Sequence, residues 1–357
     1  MFQAAVSAIG MGFSGRRNAL YGEKDAAALP AAMCREGMCA EQAPGILREQ
    51  SGSCPGADWL LGKLGRVQYG TMHKKADRIL RRTVRDSIGR GLVEPHPLIA
   101  IDKTKIARYD KKPDMVHLIK YKGGSTSTAE AYITARTVGC QNQTHLACIP
   151  VTRHTFNPEF VRKLLRKIRI LNIRPRLLLM DRESCAVDVL KAVARAGLRF
   201  LVPAVRTPGA RRAMREYADG RRDAVSTYAM VSQDGTRMEC DIIILDRTDS
   251  EGERFQIAFV TNHAGCTRDG LLELPEEYRR RWGIETGYRD AKRAMPRTCS
   301  RKDHVRLVMF YLSLAASNIW MIVRAGSRGA AVRLRAMLAG IISECARLRI
   351  KKPPDPG

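Results

Sequence analysis

Two short runs, LIAID at residues 98–102 and LLLMD at 177–181, constrain the fold most. Each is four continuous apolar residues closed by an aspartate, which suits a strand buried on both faces better than a helix or a half-exposed strand. Such strands belong in a layer fold that combines strands with helices. The neighbouring sequence supplies both elements. Residues 95–102, 117–121, 131–138 and 145–151 read as strands, and Pro158 opens an amphipathic helix that runs to about Leu171. A strand at 176–181, a helix at 185–196 closed by Gly197, and a strand at 199–202 follow. The order predicts a mixed α/β layer fold.

After Pro203 the composition changes. Residues 206–222 form a basic connector, and strand-like runs at 225–231, 238–245 and 255–260 follow, the first two joined across Asp234-Gly235, a strong hairpin signal. Upstream, Met72, Ala76, Ile79, Leu80, Val84 and Ile88 keep one face of a helix apolar, while Lys74, Lys75, Arg78, Arg81, Arg82 and Arg85 crowd the rest. Gly89 and Gly91 stop this helix. The chain thus divides into a basic, partly helical region at 1–94 suited to DNA binding and the first part of a core at 95–203. A β-rich insertion at 204–274, the rest of the core at 275–324 and a weakly helical tail at 325–357 complete it. Residues 1–55 carry no sustained period and no assignable role.

Charge narrows the partners. Lys and Arg number 62 against 36 acidic residues, a formal net charge of +26 over 357 residues, and the excess is spread along the chain. Such a surface seeks a polyanion, and nucleic acid leads because basic contacts release counterions from the phosphate backbone. A ribosome-like RNA binder or a membrane-surface protein shares that charge. The ten cysteines show no CxxC pair, so zinc is not expected; a knuckle built on Cys34, Cys39 and Cys54 is the weak exception. Free thiols and the lack of a charged leader point to the cytoplasm. The uncharged run 307–323 approaches membrane-span length, but Ser313, Ser317 and Asn318 inside it and basic residues at both ends favour a buried core helix.

The chemistry concentrates in carboxylates. Asp102 and Asp181 are expected at the carboxyl ends of buried strands, the sheet edge where active-site groups gather. In YRRRWGIETGYRDAK, residues 278–292, the positions Tyr278, Arg281, Glu285 and Lys292 fall within an arc of about 60° on a helix. That face sets one carboxylate among three groups able to hold phosphate. Ile284, Tyr288, Ala291 and Met295 form an apolar stripe beside it, Pro275 suits a first turn, and Gly283 and Gly287 each cost about 1 kcal/mol unless something packs closely against them. Read alone, the same face also fits a solvated helix on which Glu285 simply pairs with Arg281. Two strand-end aspartates with this glutamate can hold a pair of Mg²⁺ ions for phosphodiester displacement, since hard oxygen ligands suit that ion.

These residues resemble a known family. Tyr278, Arg281, Glu285 and Lys292 match the Y-(2)-R-(3)-E-(6)-K signature of insertion-sequence transposases in the DDE superfamily. Asp102 in IDKTK and Asp181 in LLLMDRES look like that family's first and second aspartates, and 297–324 resembles its post-signature segment. The resemblance implies an RNase H-like mixed-sheet core with a β-rich insertion, and Asp102, Asp181 and Glu285 as catalytic metal ligands. It implies two Mg²⁺ or Mn²⁺ ions per site. Tyr278, Arg281 and Lys292 would contact double-stranded transposon-end DNA, which is cut at terminal repeats before its 3′ ends join target DNA. A homodimer that pairs two ends is also implied. No helix-turn-helix is evident before residue 95. A catalytically inactive DNA-binding relic and a structure-selective nuclease on the same core are the alternatives.

Overall fold

The structure is a computed structural model of the whole chain; it describes residues 21–51, 54–109, 118–121, 126–151, 157–263, 268–327 and 332–350. Four helices come first: α1 (Glu23–Glu36), α2 (Ala43–Ser51), α3 (Ala57–Gly65) and α4 (Tyr69–Gly89). The core follows as β1 (Leu98–Arg108), β2 (Leu118–Lys120), β3 (Thr128–Val138), β4 (His145–Pro150), α5 (Asn157–Arg169), β5 (Leu177–Met180), α6 (Val187–Arg195) and β6 (Phe200–Pro203). Then come α7 (Pro208–Ala218), β7 (Val225–Val231), β8 (Arg237–Thr248), β9 (Arg254–Thr261), α8 (Arg268–Arg279), α9 (Trp282–Arg293), α10 (Asp303–Gly326) and α11 (Leu334–Ile350).

Nine strands form one mixed sheet in the order β2-β3-β1-β5-β6-β9-β8-β7, with β4 also paired to β3. The strands β4, β3 and β1 are antiparallel neighbours, and β1, β5 and β6 run parallel. Three antiparallel strands continued by two parallel ones make an RNase H-like sheet, with helices on both sides. The β-rich insertion hydrogen-bonds directly to this sheet, because β9 pairs antiparallel with β6 from Leu201↔Thr261 to Pro203↔Phe259. Gly235, at φ +80°, closes the β7–β8 hairpin at the expected Asp234-Gly235 turn.

Three local expectations change. The connector at 206–222 contains a helix: Thr207 caps α7 by accepting from the Ala210 N–H at 3.2 Å, and Pro208 stands in the first turn, where its missing N–H costs nothing. Strand β1 does not end at Asp102 but runs on to Arg108, because its second half needs only β3 as a partner. The helix before the signature starts at Arg268, so Pro275 lies in its interior rather than its first turn, at the loss of one backbone hydrogen bond.

Of the segment with no assignable role, residues 21–51 pack as part of the protein, and residues 1–20 lie outside the described residues. Leu29, Met33, Leu47, Leu60, Leu64, Met72 and Leu80 from the first four helices share one core with α10 and with Met337, Leu338 and Ile341 of α11. By length and composition α10 is long and apolar enough to cross a membrane, but 89% of its most apolar window is buried inside the fold. Its buried amide Asn318 has partners there. Asn318 accepts from the His145 N–H at 2.8 Å and donates to the His145 carbonyl at 2.9 Å and to Thr83 Oγ1 at 3.0 Å. One amide side chain thus satisfies a backbone donor and acceptor at the start of β4. At its first turn, Asp303 accepts from the fully buried Arg108 at 2.5 Å, while Arg306 reaches Glu130 at 3.3 Å, so two cations and two carboxylates neutralise one another at the end of β1.

Cysteines Cys34 and Cys54 are buried, and all nine described cysteines are free thiols. Burial pushes the Cys34 thiol up to about 12.

Candidate active site

The two aspartates come together through register. Strands β1 and β5 pair in parallel as far as Ile101↔Met180, so Asp102 and Asp181 are the next residues on adjacent strands, about 5 Å apart along the sheet. Here the strands part: β1 continues while the chain after Met180 turns into a 3₁₀ turn at Arg182–Ser184, with Asp181 as its N-cap. Only Asp181 therefore stands at a strand end. Asp102 is in mid-strand, at the point where its pairing on one side stops.

Alternation sets their direction. Leu98, Ala100, Leu177 and Leu179 share one packed cluster with Ile284 and Tyr288 of α9, whereas Ile99, Ile101, Leu178 and Met180 face the opposite core. Continuing the period of two puts Asp102 and Asp181 on the face that α9 covers. Glu285 follows Ile284 on that helix. The apolar stripe read from sequence anchors it: Ile284, Tyr288 and Ala291 are buried and Met295 is partly so. Tyr288 donates to the Asp102 carbonyl at 2.8 Å and lies 2.7 Å from Thr134 Oγ1, pinning α9 to β1 and β3.

The glycines explain themselves here. A Cβ on Gly287 would lie 1.2 Å from Nη1 of the buried Arg136, and one on Gly283 would lie 2.8 Å from the Gln143 side chain. Helix α9 can approach the sheet this closely because Gly287 lacks a side chain.

The signature is not one continuous helix. Tyr278 belongs to the last turn of α8, and Arg281 is the N-cap of α9. Between them the N–H groups of Arg280, Arg281, Gly283 and Ile284 bond to carbonyls three residues back, a tightened 3₁₀ passage that re-aims the second helix. Tyr278 packs on Phe259 with ring centroids 5.1 Å apart and donates to the Met180 carbonyl at 3.2 Å, bracing the backbone just before Asp181. The Arg281 guanidinium lies 5.6 Å from the Tyr278 ring centroid, 3.5 Å from Asp102 and 2.9 Å from Glu285. Lys292 sits farther along, donating to the Lys105 carbonyl at 3.0 Å, and burial holds its ammonium below the usual value.

The structure brings Asp102, Asp181, Tyr278, Arg281 and Glu285 to one place, with Lys292 beyond them. The sequence placed Tyr288 only in the apolar stripe and did not single out Thr134 or Gly287's partner Arg136. Only the i+4 spacing of Tyr288 from Ile284 hinted at a role. Asp102 is held up at about 6: burial of its side chain is the main cause, and Asp181 and Glu285 add to it, while the Lys103 N–H and Arg281 oppose it. Among the described residues no three His, Cys, Asp or Glu side chains converge closely enough to hold an ion. The cation lying between Asp102 and Glu285 is the guanidinium of Arg281.

Comparison with known proteins places the chain in a family. Residues 94–319, well over half of the chain, match the family described as transposase DDE domain. The chain belongs to that family. The matched span of this transposase domain runs from just before β1 into α10 and so contains the whole site. No curated protein matches the sequence. Among solved structures, the transposase domain and the elements around it resemble a piggyBac transposase in a synaptic complex with hairpin DNA, seen by cryo-EM. The TM-score is 0.59 at 10% identity, over 99% of this chain and 79% of the other. At that identity the likeness is one of fold.

Proposed function

We propose that this chain is a DNA transposase that cuts at the terminal repeats of an insertion sequence and transfers the 3′ ends to target DNA. The observation that carries this reading is the alignment of Asp102 and Asp181 on adjacent strands beneath Glu285, inside the matched transposase domain. Asp102, Asp181 and Glu285 would hold two Mg²⁺ ions, or Mn²⁺. Three carboxylates are the donor set that hard divalent cations take. When bound, the ions supply activation of a water or 3′ hydroxyl and stabilisation of the leaving oxygen.

The protein's own residues do the positioning. Tyr278 braces Asp181 through the Met180 carbonyl, and Tyr288 braces Asp102 through its own carbonyl. Arg281 balances the carboxylates and can turn one edge of its planar fork to a phosphate. Lys292 adds a point charge farther along the strand. Tyr278, Arg281 and Lys292 together form the DNA face in this reading, and a homodimer would bring two ends together.

A metal-dependent cleavage assay on a duplex carrying the element's terminal repeat tests this directly. Glu285→Gln should abolish cutting and leave duplex binding within about threefold. A Gln variant that still cuts removes Glu285 from the site. A wild-type chain that binds DNA with steep salt dependence but never nicks it is the inactive relic, and one that cuts branched DNA without terminal repeats is a nuclease.

A further inference from the structure

Beyond the carboxylates lies a cavity of about 1400 Å³ that none of Asp102, Asp181 or Glu285 lines. Its walls come from the far end of β1, the residues after α9, the first turn of α10 and the loop after α1. Six cations line it against one carboxylate, Glu130, which is already paired with Arg306 at 3.3 Å. Arg297, Arg301 and Lys302 are exposed at its rim. The floor is different: Ile106, Met295, Pro296 and Met309 are apolar, and Tyr109 stands beside them with 68% of its surface exposed.

We propose that this cavity binds an unpaired stretch of DNA strand, its phosphates on Arg297, Arg301 and Lys302 and its bases on the apolar floor and Tyr109. The charge balance selects a polyanion. The floor selects unpaired bases, because a duplex turns its base faces inward and cannot stack on a concave apolar wall, whereas splayed bases stack on aromatic side chains. The position suits the chemistry. Lys105, whose carbonyl holds Lys292, is three residues beyond Asp102 on β1, about 10 Å at strand rise, or about three nucleotides along a B-form strand. A strand with its reacting phosphate at the carboxylates therefore reaches the cavity within a few nucleotides. This deepens the transposase reading, but it is measured without cleavage.

The test is fluorescence anisotropy of the full-length chain in EDTA, with a labelled 12-nucleotide oligo-dT and a hairpin duplex of equal length. Tyr109→Ala should weaken oligo-dT binding about 5-fold to 100-fold, the range of one lost stacking contact, and change duplex binding less than twofold. The double variant Arg297→Gln/Arg301→Gln should flatten the salt dependence of oligo-dT binding by about 1.4 in log–log slope, at about 0.7 per phosphate contact. All three residues are exposed, so melting temperatures should match the parent. Equal losses for strand and duplex, no loss for Tyr109→Ala, or tighter binding of polyglutamate than of oligo-dT would each overturn the proposal. Cutting by the Glu285→Gln variant would overturn the site assignment above and leave this result standing.

Discussion

The guanidinium of Arg281 lies 3.5 Å from the carboxylate of Asp102, and both side chains are largely buried. The same guanidinium reaches Glu285 at 2.9 Å, so one cation offsets two acids that two different elements bring together. Arg281→Gln should therefore destabilise the chain in EDTA by about 1–3 kcal/mol, since it leaves charged acceptors without their partner. Added Mn²⁺ should raise the melting temperature of this variant more than that of the wild type. Equal metal responses would show that guanidinium and metal do not share the carboxylates.

Asp102 predicts an inverted pH dependence. Its folded value of about 6 lies above the ordinary 3.8, so the folded chain binds more protons than the unfolded chain between these values. The contribution of this group is full below about pH 4 and is lost as pH rises through 6, on the order of 2–3 kcal/mol. Asp102→Asn should flatten that slope in urea titrations from pH 4 to 7 while abolishing cleavage. Cleavage by the wild type should rise with pH through about 6, as Asp102 ionises and becomes able to hold a metal.

Gly287→Ala should cost about 2–4 kcal/mol although alanine is the better helix former, because its methyl would overlap the buried Arg136. Gly283→Ala meets only the end of the half-buried Gln143 side chain and should change stability by less than about 1 kcal/mol. Urea midpoints of the two variants check the contrast; equal effects would place the tight approach elsewhere.

Asn318→Leu removes the partner of both backbone groups of the buried His145. The expected loss is about 2–4 kcal/mol, with early hydrogen exchange at the His145 amide. Better core packing would instead give a neutral or stabilised variant.

Much of this was legible along the chain because it depends on neighbours in sequence. The continuous apolar runs gave β1 and β5, the Asp234-Gly235 pair gave its hairpin, and the stripe from Ile284 to Met295 gave the buried face of α9. The signature residues and the two aspartates were legible as a pattern, and the family match over residues 94–319 agrees with the family they suggested. What failed were ends and breaks. Lys103 and Lys105 interrupt the apolar run, yet β3 carries β1 on to Arg108, and Pro275 sits inside a helix whose packing tolerates it.

The sequence by itself determined which residues are apolar, which carry charge and at what period they recur, so it settled the faces of individual strands and helices. Only the tertiary structure decided that Asp102 and Asp181, 79 positions apart, continue a single register, and that a 3₁₀ passage turns Arg281 back onto Asp102. It also decided that residues 21–65 share a core with the C-terminal helices. The physical reason is range: periodicity is a local property of the backbone, whereas pairing, helix approach and charge neutralisation depend on partners that folding selects from distant parts of the chain.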